Sequence, residues 1–301
     1  MALQELAGVG IALVGTALAA YQDALTSFID ERLTYGMIAA GALVVLSTLD
    51  QQLIIGAFAG AAVIFAIGYA LYRAGQVGGG DVLLFTAIQL LVPVRPAQLG
   101  IPLFNLVFDK MALDQVIAYG RVLQAIPFFA SVFAAASFFA LLGSAIFYAS
   151  KIAKARPKPE LVPGGITSTA SLVFLWWLYS RGVSVVQTAF FGLVLAAACF
   201  LIAFKKQIMN EVVVQNIAIE EVEDEDILVT SKMDEKIVEK YSLGKVLTKE
   251  EVEKLKKVRE KEGIKLFPVA KVLPRLGPYI LLGLITSLLL GDLFAFFLVL
   301  K

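Results

Sequence analysis

The chain has 301 residues, is 59% hydrophobic, has a mean hydropathy of +0.81 and carries a formal net charge of +1. It contains no histidine and one cysteine, Cys199, which lies in an apolar block. The charge balance gives no electrostatic footprint for nucleic acid. Lack of imidazole removes Ser-His and Cys-His nucleophiles and His-ligated metals, and one cysteine makes neither an internal disulfide nor a structural zinc site. What remains is mostly carboxylate chemistry.

The apolar residues are gathered into blocks near the roughly 20 residues needed to cross a lipid bilayer. In chain order these are Leu6–Tyr21, Leu33–Leu49, Leu53–Tyr72, a shorter Val82–Pro93, Ile126–Ser150, Ile166–Tyr179, Val183–Phe204 and Leu276–Leu300. The expected architecture is therefore an all-α polytopic membrane protein of about eight transmembrane helices with a small charged cytoplasmic domain. The first block lacks a basic n-region and runs into Asp23, so it reads as a retained span rather than a cleaved signal peptide.

Loops rich in Lys and Arg mark the cytoplasmic side. Lys151, Lys154, Arg156 and Lys158 form the strongest basic cluster beside a span and are assigned inside, which also puts Glu31-Arg32, Arg73 and Lys205-Lys206 inside. Residues 49–52, the loop Val94–Val122 and the turn Arg181-Gly182 then fall outside, as do both termini. Residues 205–265 leave the membrane: they are rich in Glu and Lys and carry the acidic run Glu220–Asp226. Near the end of that stretch, Thr248 with Glu251 three residues on predicts a capping-box helix start, with Leu247, Leu255 and Val258 supplying part of an apolar stripe. About 60 residues form a small domain that leans on the membrane helices, with either a substrate-docking or regulatory surface or a plain solvated insertion as its role.

Charged side chains within spans are costly and usually functional. Asp23 ends the first span on the inner side, and Asp81 opens the fourth on the same side, so two acids from separate helices arrive at similar depth. Gly78-Gly79-Gly80 precedes Asp81; without Cβ atoms it permits a tight turn, positive φ and close approach of another backbone. Such a pair shares a proton and titrates as a unit, the condition under which one acid activates a water and the other polarises a carbonyl. A turn with a helix N-cap explains the glycines and Asp81 equally well, and Asp23 alone also reads as a cap or a snorkelling acid. Asp30 reads as the cap of the second span. Asp109, Asp114 and Asp292 lie on the outer side.

The order and spacing of Ala19-Ala20-Tyr21-Gln22-Asp23, Asp30, Gly75-Gln76-Val77-Gly78-Gly79-Gly80-Asp81 and Leu91-Val92-Pro93 resemble the archaeal preflagellin and prepilin peptidases of the GxGD membrane aspartyl proteases. Lys154–Lys158 and Pro268–Tyr279, followed by Gly291-Asp292, resemble further stretches of that family. The resemblance covers roughly residues 1–158 and 264–301. It implies that Asp23 and Asp81 are the catalytic dyad and Gly78, Gly79 and Gly80 the active-site loop. It further implies an aspartic endopeptidase without metal or cofactor, removing a short basic leader from preflagellin- and prepilin-like precursors at the cytoplasmic face of the cell membrane. The corresponding division is a catalytic membrane region 1–158, an extra transmembrane hairpin 159–204, the charged domain 205–265 and a C-terminal transmembrane helix 266–301. Ser27 stands where the family commonly has a basic residue, the hairpin is additional to a six-span plan, and the short loop at residues 30–32 leaves no room for the paired-cysteine domain of methylating relatives. Two competing readings are a presenilin- or signal-peptide-peptidase-like protease, disfavoured by Gln22 between Tyr21 and Asp23, and a proton- or cation-coupled transporter, whose acids usually lie near the midplane.

Overall fold

A computed structural model describes residues 3–96, 126–153, 159–223, 226–271 and 273–295, together with residues 117, 120, 121 and 123. The expected basic cluster at 154–158, the acids Asp109 and Asp114, and Asp224 and Glu225 of the acidic run lie outside the described residues. Helices α1 (Leu3–Thr26), α2 (Glu31–Ser47), α3 (Gln51–Arg73) and α4 (Gly79–Leu91) follow one another, then α5 (Phe128–Ile152), α6 (Leu161–Ser180) and α7 (Val185–Ala203). The charged region holds strand β1 (Val214–Ala218), strand β2 (Ile227–Leu228), helices α8 (Glu235–Lys240) and α9 (Lys249–Glu262), and strand β3 (Leu266–Ala270). Helix α10 (Gly277–Leu290) returns to the bundle. The protein is an all-α polytopic membrane protein; α1, α3, α5 and α7 are each long and apolar enough to cross a bilayer.

Helix α1 buries Gly8, Ala12, Gly15, Thr16, Ala19, Ala20 and Asp23. These recur every three or four residues, so small side chains make one face on which neighbouring helices approach closely. The opposite face exposes Leu18, Tyr21 and Leu25, as suits a lipid-facing surface. Asp30 caps α2, its carboxylate accepting from the Arg32 N–H at 2.8 Å, as its sequence position indicates. Helices α1 and α2 run antiparallel, with a Cβ built on Gly8 falling 3.6 Å from Val44 and one on Gly15 falling 2.5 Å from Met37.

Helix α4, only 13 residues or about 20 Å long, is too short to span alone but is buried along nearly its whole length. It lies inside the bundle, packed by α1, α2, α3 and α5. Leu84, Ala87, Ile88 and Leu91 join Val9, Ala12, Ile29, Phe128, Val132, Ile280 and Leu284 in the principal core. Helices α6 and α7 pack against each other, and α7 packs on α5 through Phe138 and Phe190, stacked with centroids 5.1 Å apart.

The charged region folds around a three-stranded antiparallel sheet in the order β1-β3-β2, detail that residue periodicity had not supplied. Its core contains Ile217, Leu228, Leu247, Leu255, Val258, Phe267 and Val269, so the expected apolar stripe of α9 is the face it lays on the sheet. Because β3 pairs with β1 from Val214–Ala270 to Ala218–Leu266, residues 266–270 lie with the charged domain rather than with the helix that follows. The expected capping box at Thr248 does not form: Thr248 makes no side-chain cap bond. Glu251 instead accepts from the Gly244 N–H at 2.8 Å and pairs with Lys254, which draws it away from the helix start. The domain does lean on the bundle, through a cluster joining Ile208, Val213 and Ala270 to Tyr148 and Ile152 of α5.

Candidate active site

Asp23 is the last residue of the small-residue face of α1, and that placement aims it into the protein rather than at lipid; it is 7% exposed. One turn later the chain reverses. Ser27 takes a left-handed φ of +59°, its N–H donates to the Asp23 carbonyl at 2.9 Å, and the Gln22 side chain accepts from the Asp30 N–H at 3.1 Å. The carboxylate oxygen Oδ2 of Asp23 accepts from the backbone N–H of Gly277, the first residue of α10, at 2.8 Å. Arg275 donates from Nε to Ser27 Oγ at 3.1 Å.

Asp81 lies in the first turn of α4 and is 9% exposed. Of the glycines before it, Gly78 is the N-cap with φ −69°, and Gly79 and Gly80 are already helical. None of the three takes the positive φ that glycine permits. The positive φ falls on Gly75 (φ +69°), where Gly75 N–H bonds the Tyr72 carbonyl and Gln76 N–H bonds the Leu71 carbonyl. That is a Schellman closure of α3, which needs a left-handed residue at this position. The glycine run serves close approach instead. A Cβ on Gly80 would lie 2.9 Å from Cβ of Ile29, and one on Gly78 would lie 3.0 Å from Oδ2 of Asp81.

Those contacts fix depth. Asp23 lies one turn before the non-helical connection 27–30 that joins α1 to α2, and Ile29 belongs to that connection. Ile29 is buried and is the residue against which Gly80 packs. Asp23 and Asp81 therefore reach the same end of the bundle, around Ile29, with Gly277 closing on Asp23 from a third direction. Gly277 and Arg275 were not singled out as site residues by the sequence. Their signal was faint, a glycine-proline step at a helix start.

The charged domain touches this same end. A Cβ on Gly75 would meet Lys245 at 3.4 Å and Ile227 at 3.5 Å, and β3 leads within a few residues to Arg275 and Gly277. A mostly apolar cavity of about 270 Å³ opens beside the start of α4, lined by Ile64, Leu71, Val77, Val82, Phe133 and Leu276 among others. Among the described residues, no three His, Cys, Asp or Glu side chains converge as metal ligands.

Residues 10–149 of this chain match the type IV leader peptidase family, and the matched region holds Asp23, Asp81 and all three loop glycines. The chain is 33% identical over 131 residues to prepilin peptidase EppA of Methanothermobacter thermautotrophicus, a match covering 41% of this chain and 34% of that relative. No solved structure matches significantly. Gly277, Arg275 and the charged domain lie beyond the matched region.

Proposed function

We propose that the protein is a membrane aspartyl endopeptidase of the leader-peptidase type, with Asp23 and Asp81 as its dyad. The observation that carries this reading is the burial of both acids at one level of the bundle, on helices within the family-matched region. One carboxylate takes a proton from water as the oxygen attacks the scissile carbonyl carbon, and the other carboxylic acid donates its proton to the carbonyl oxygen. As the tetrahedral intermediate collapses, one of its hydroxyls returns a proton to the second aspartate, the C–N bond breaks, and the departing nitrogen takes the proton held by the first. Burial strengthens both transfers by keeping competing water away from the charges.

The substrates of this reading are preflagellin- or prepilin-like precursors with a short basic leader before an apolar segment. The cavity bordered by Val77 and Val82 adjoins the Asp81 loop and suits the apolar residues that follow the scissile bond. Charge at this end supports a cytoplasmic orientation: Arg32, Arg73, Lys151, Lys205 and Lys206 flank the helix ends nearest the acids and the charged domain. The division proposed is a catalytic region through residue 158, a hairpin 159–204, a charged domain and a C-terminal membrane helix.

The test uses purified full-length protein in liposomes with a precursor-like peptide. Asp23→Asn and Asp81→Asn should each abolish clipping at the leader while leaving the melting temperature within a few degrees of wild type. Cleavage surviving in either variant sinks the dyad.

A further inference from the structure

We propose that Gly277, with Arg275 beside it, is a positioning element for Asp23, delivered from a distant part of the chain. The inference rests on the reading of Asp23 as a reacting group. Donors in the first turn of α10 are few. Pro278 has no N–H, and the N–H groups of Tyr279 and Ile280 both bond the Leu276 carbonyl at 2.9 Å. The Gly277 N–H is the donor left, and it goes to Asp23 Oδ2 at 2.8 Å in a buried setting. A hydrogen bond from a helix N-terminus to a carboxylate is charge-assisted and among the stronger kinds. It pins one oxygen and leaves Oδ1 to meet water.

The identity of residue 277 follows from space. A Cβ there would stand 3.0 Å from both Cβ and Oδ2 of Asp23 and 3.1 Å from Cα of Ala20. Any side chain pushes α10 or Asp23 aside and lengthens the bond that orients the carboxylate. Arg275 secures the same junction from its exposed side. Its bond to Ser27 Oγ clips the α10 entry to the left-handed turn that ends α1. Gly277 sets the orientation of Asp23, and Arg275 holds Gly277 where it can do so.

The experiment uses full-length protein in liposomes and a membrane-inserted peptide with a short basic leader before an apolar segment. Gly277→Ala should lower kcat by about 10- to 100-fold, the scale of an ångström-sized misplacement, with KM within about twofold. Arg275→Lys should retain more kcat than Arg275→Met. Ser27→Gly, which keeps the left-handed turn but removes the hydroxyl, should resemble Arg275→Met. In parallel, the Asp23 carboxylate infrared band, assigned by its loss in Asp23→Asn, should shift in frequency in Gly277→Ala. An unshifted band overturns the proposal, whether kcat is unchanged or falls, since a fall alone would then reflect packing. A shifted band in a protein that clips no such peptide leaves the positioning intact and removes the peptidase reading; normal clipping with an unshifted band does the reverse.

Discussion

Asp23 owes its direction to its neighbours rather than to its own charge. The small residues at positions 8, 12, 15, 16, 19 and 20 set a helical face, and Asp23 falls on it three residues after the last of them. The sequence marked Asp23 as an acid at the end of an apolar block; its direction follows from the small-residue face that packing buries. The conformation of the glycine run was not legible in the sequence, because a glycine permits many backbones and only the neighbouring packing chooses one. Gly80 was needed for contact with Ile29, while the left-handed residue of the turn was Gly75. Gly80→Ala tests the distinction. The added methyl has a branched buried side chain 2.9 Å away, so about 1–3 kcal/mol of overpacking is expected, with loss of peptide clipping, measured by thermal unfolding and turnover together. The same change at Gly10, which has open space around it, should leave melting unchanged.

At the scale of elements, apolar length and helix caps were readable because both depend on residues close in sequence. Asp30 caps α2 as its position indicated, and Asp30→Ala should cost about 1 kcal/mol, seen as a lower melting temperature. The capping box at Thr248 failed because Glu251 found partners elsewhere, Gly244 seven residues before it and Lys254 three after. Local signatures lose to tertiary partners that they do not contain. The shortness of α4 hid its importance in the same way: its 13 residues read as a minor span, yet they form the centre of the bundle. Ala140→Phe, which fills the cavity beside α4 without touching either acid, should raise KM for the precursor-like peptide severalfold and leave folding intact, checked by steady-state kinetics.

For the whole molecule, the charged domain and the membrane bundle share one end, and pH should act on the domain at both extremes. Hydrogen bonds from Arg259 to Glu220, and from Lys240 and Tyr241 to Glu262, hold these carboxyls below the ordinary glutamate range. A depressed acid adds stability above its unfolded value and loses it as pH falls through the folded one, so the domain should loosen below about pH 4. Burial would lower the ammonium of Lys271, but bonds to Asp226 and Glu223 outweigh it and raise the group. Its contribution is present at neutral pH and lost as pH climbs through the raised value, beyond about 10. Protease sensitivity of the domain across pH should show both limbs, each weakened by salt because the pairs at the surface are screened. Leu247→Ala, emptying a fully buried position, should cost the domain about 2–5 kcal/mol and depress clipping as well, since the domain rests on Gly75 and carries β3 toward Gly277. None of this long-range coupling was visible in the sequence, because its partners lie up to 254 positions apart.

That separation has a consequence for biogenesis. Asp23 enters the bilayer early in synthesis, and Asp81 follows some 60 residues later. The amide that orients Asp23 is made only after the hairpin and the charged domain have emerged. At roughly 5–20 residues per second the interval between the first acid and Gly277 is tens of seconds. For most of it, once Asp81 has been made, the nascent chain holds both acids without the group that aligns one of them. On the proposed reading, a dyad assembled in this order stays well below full activity while its own later spans are still threading into the membrane.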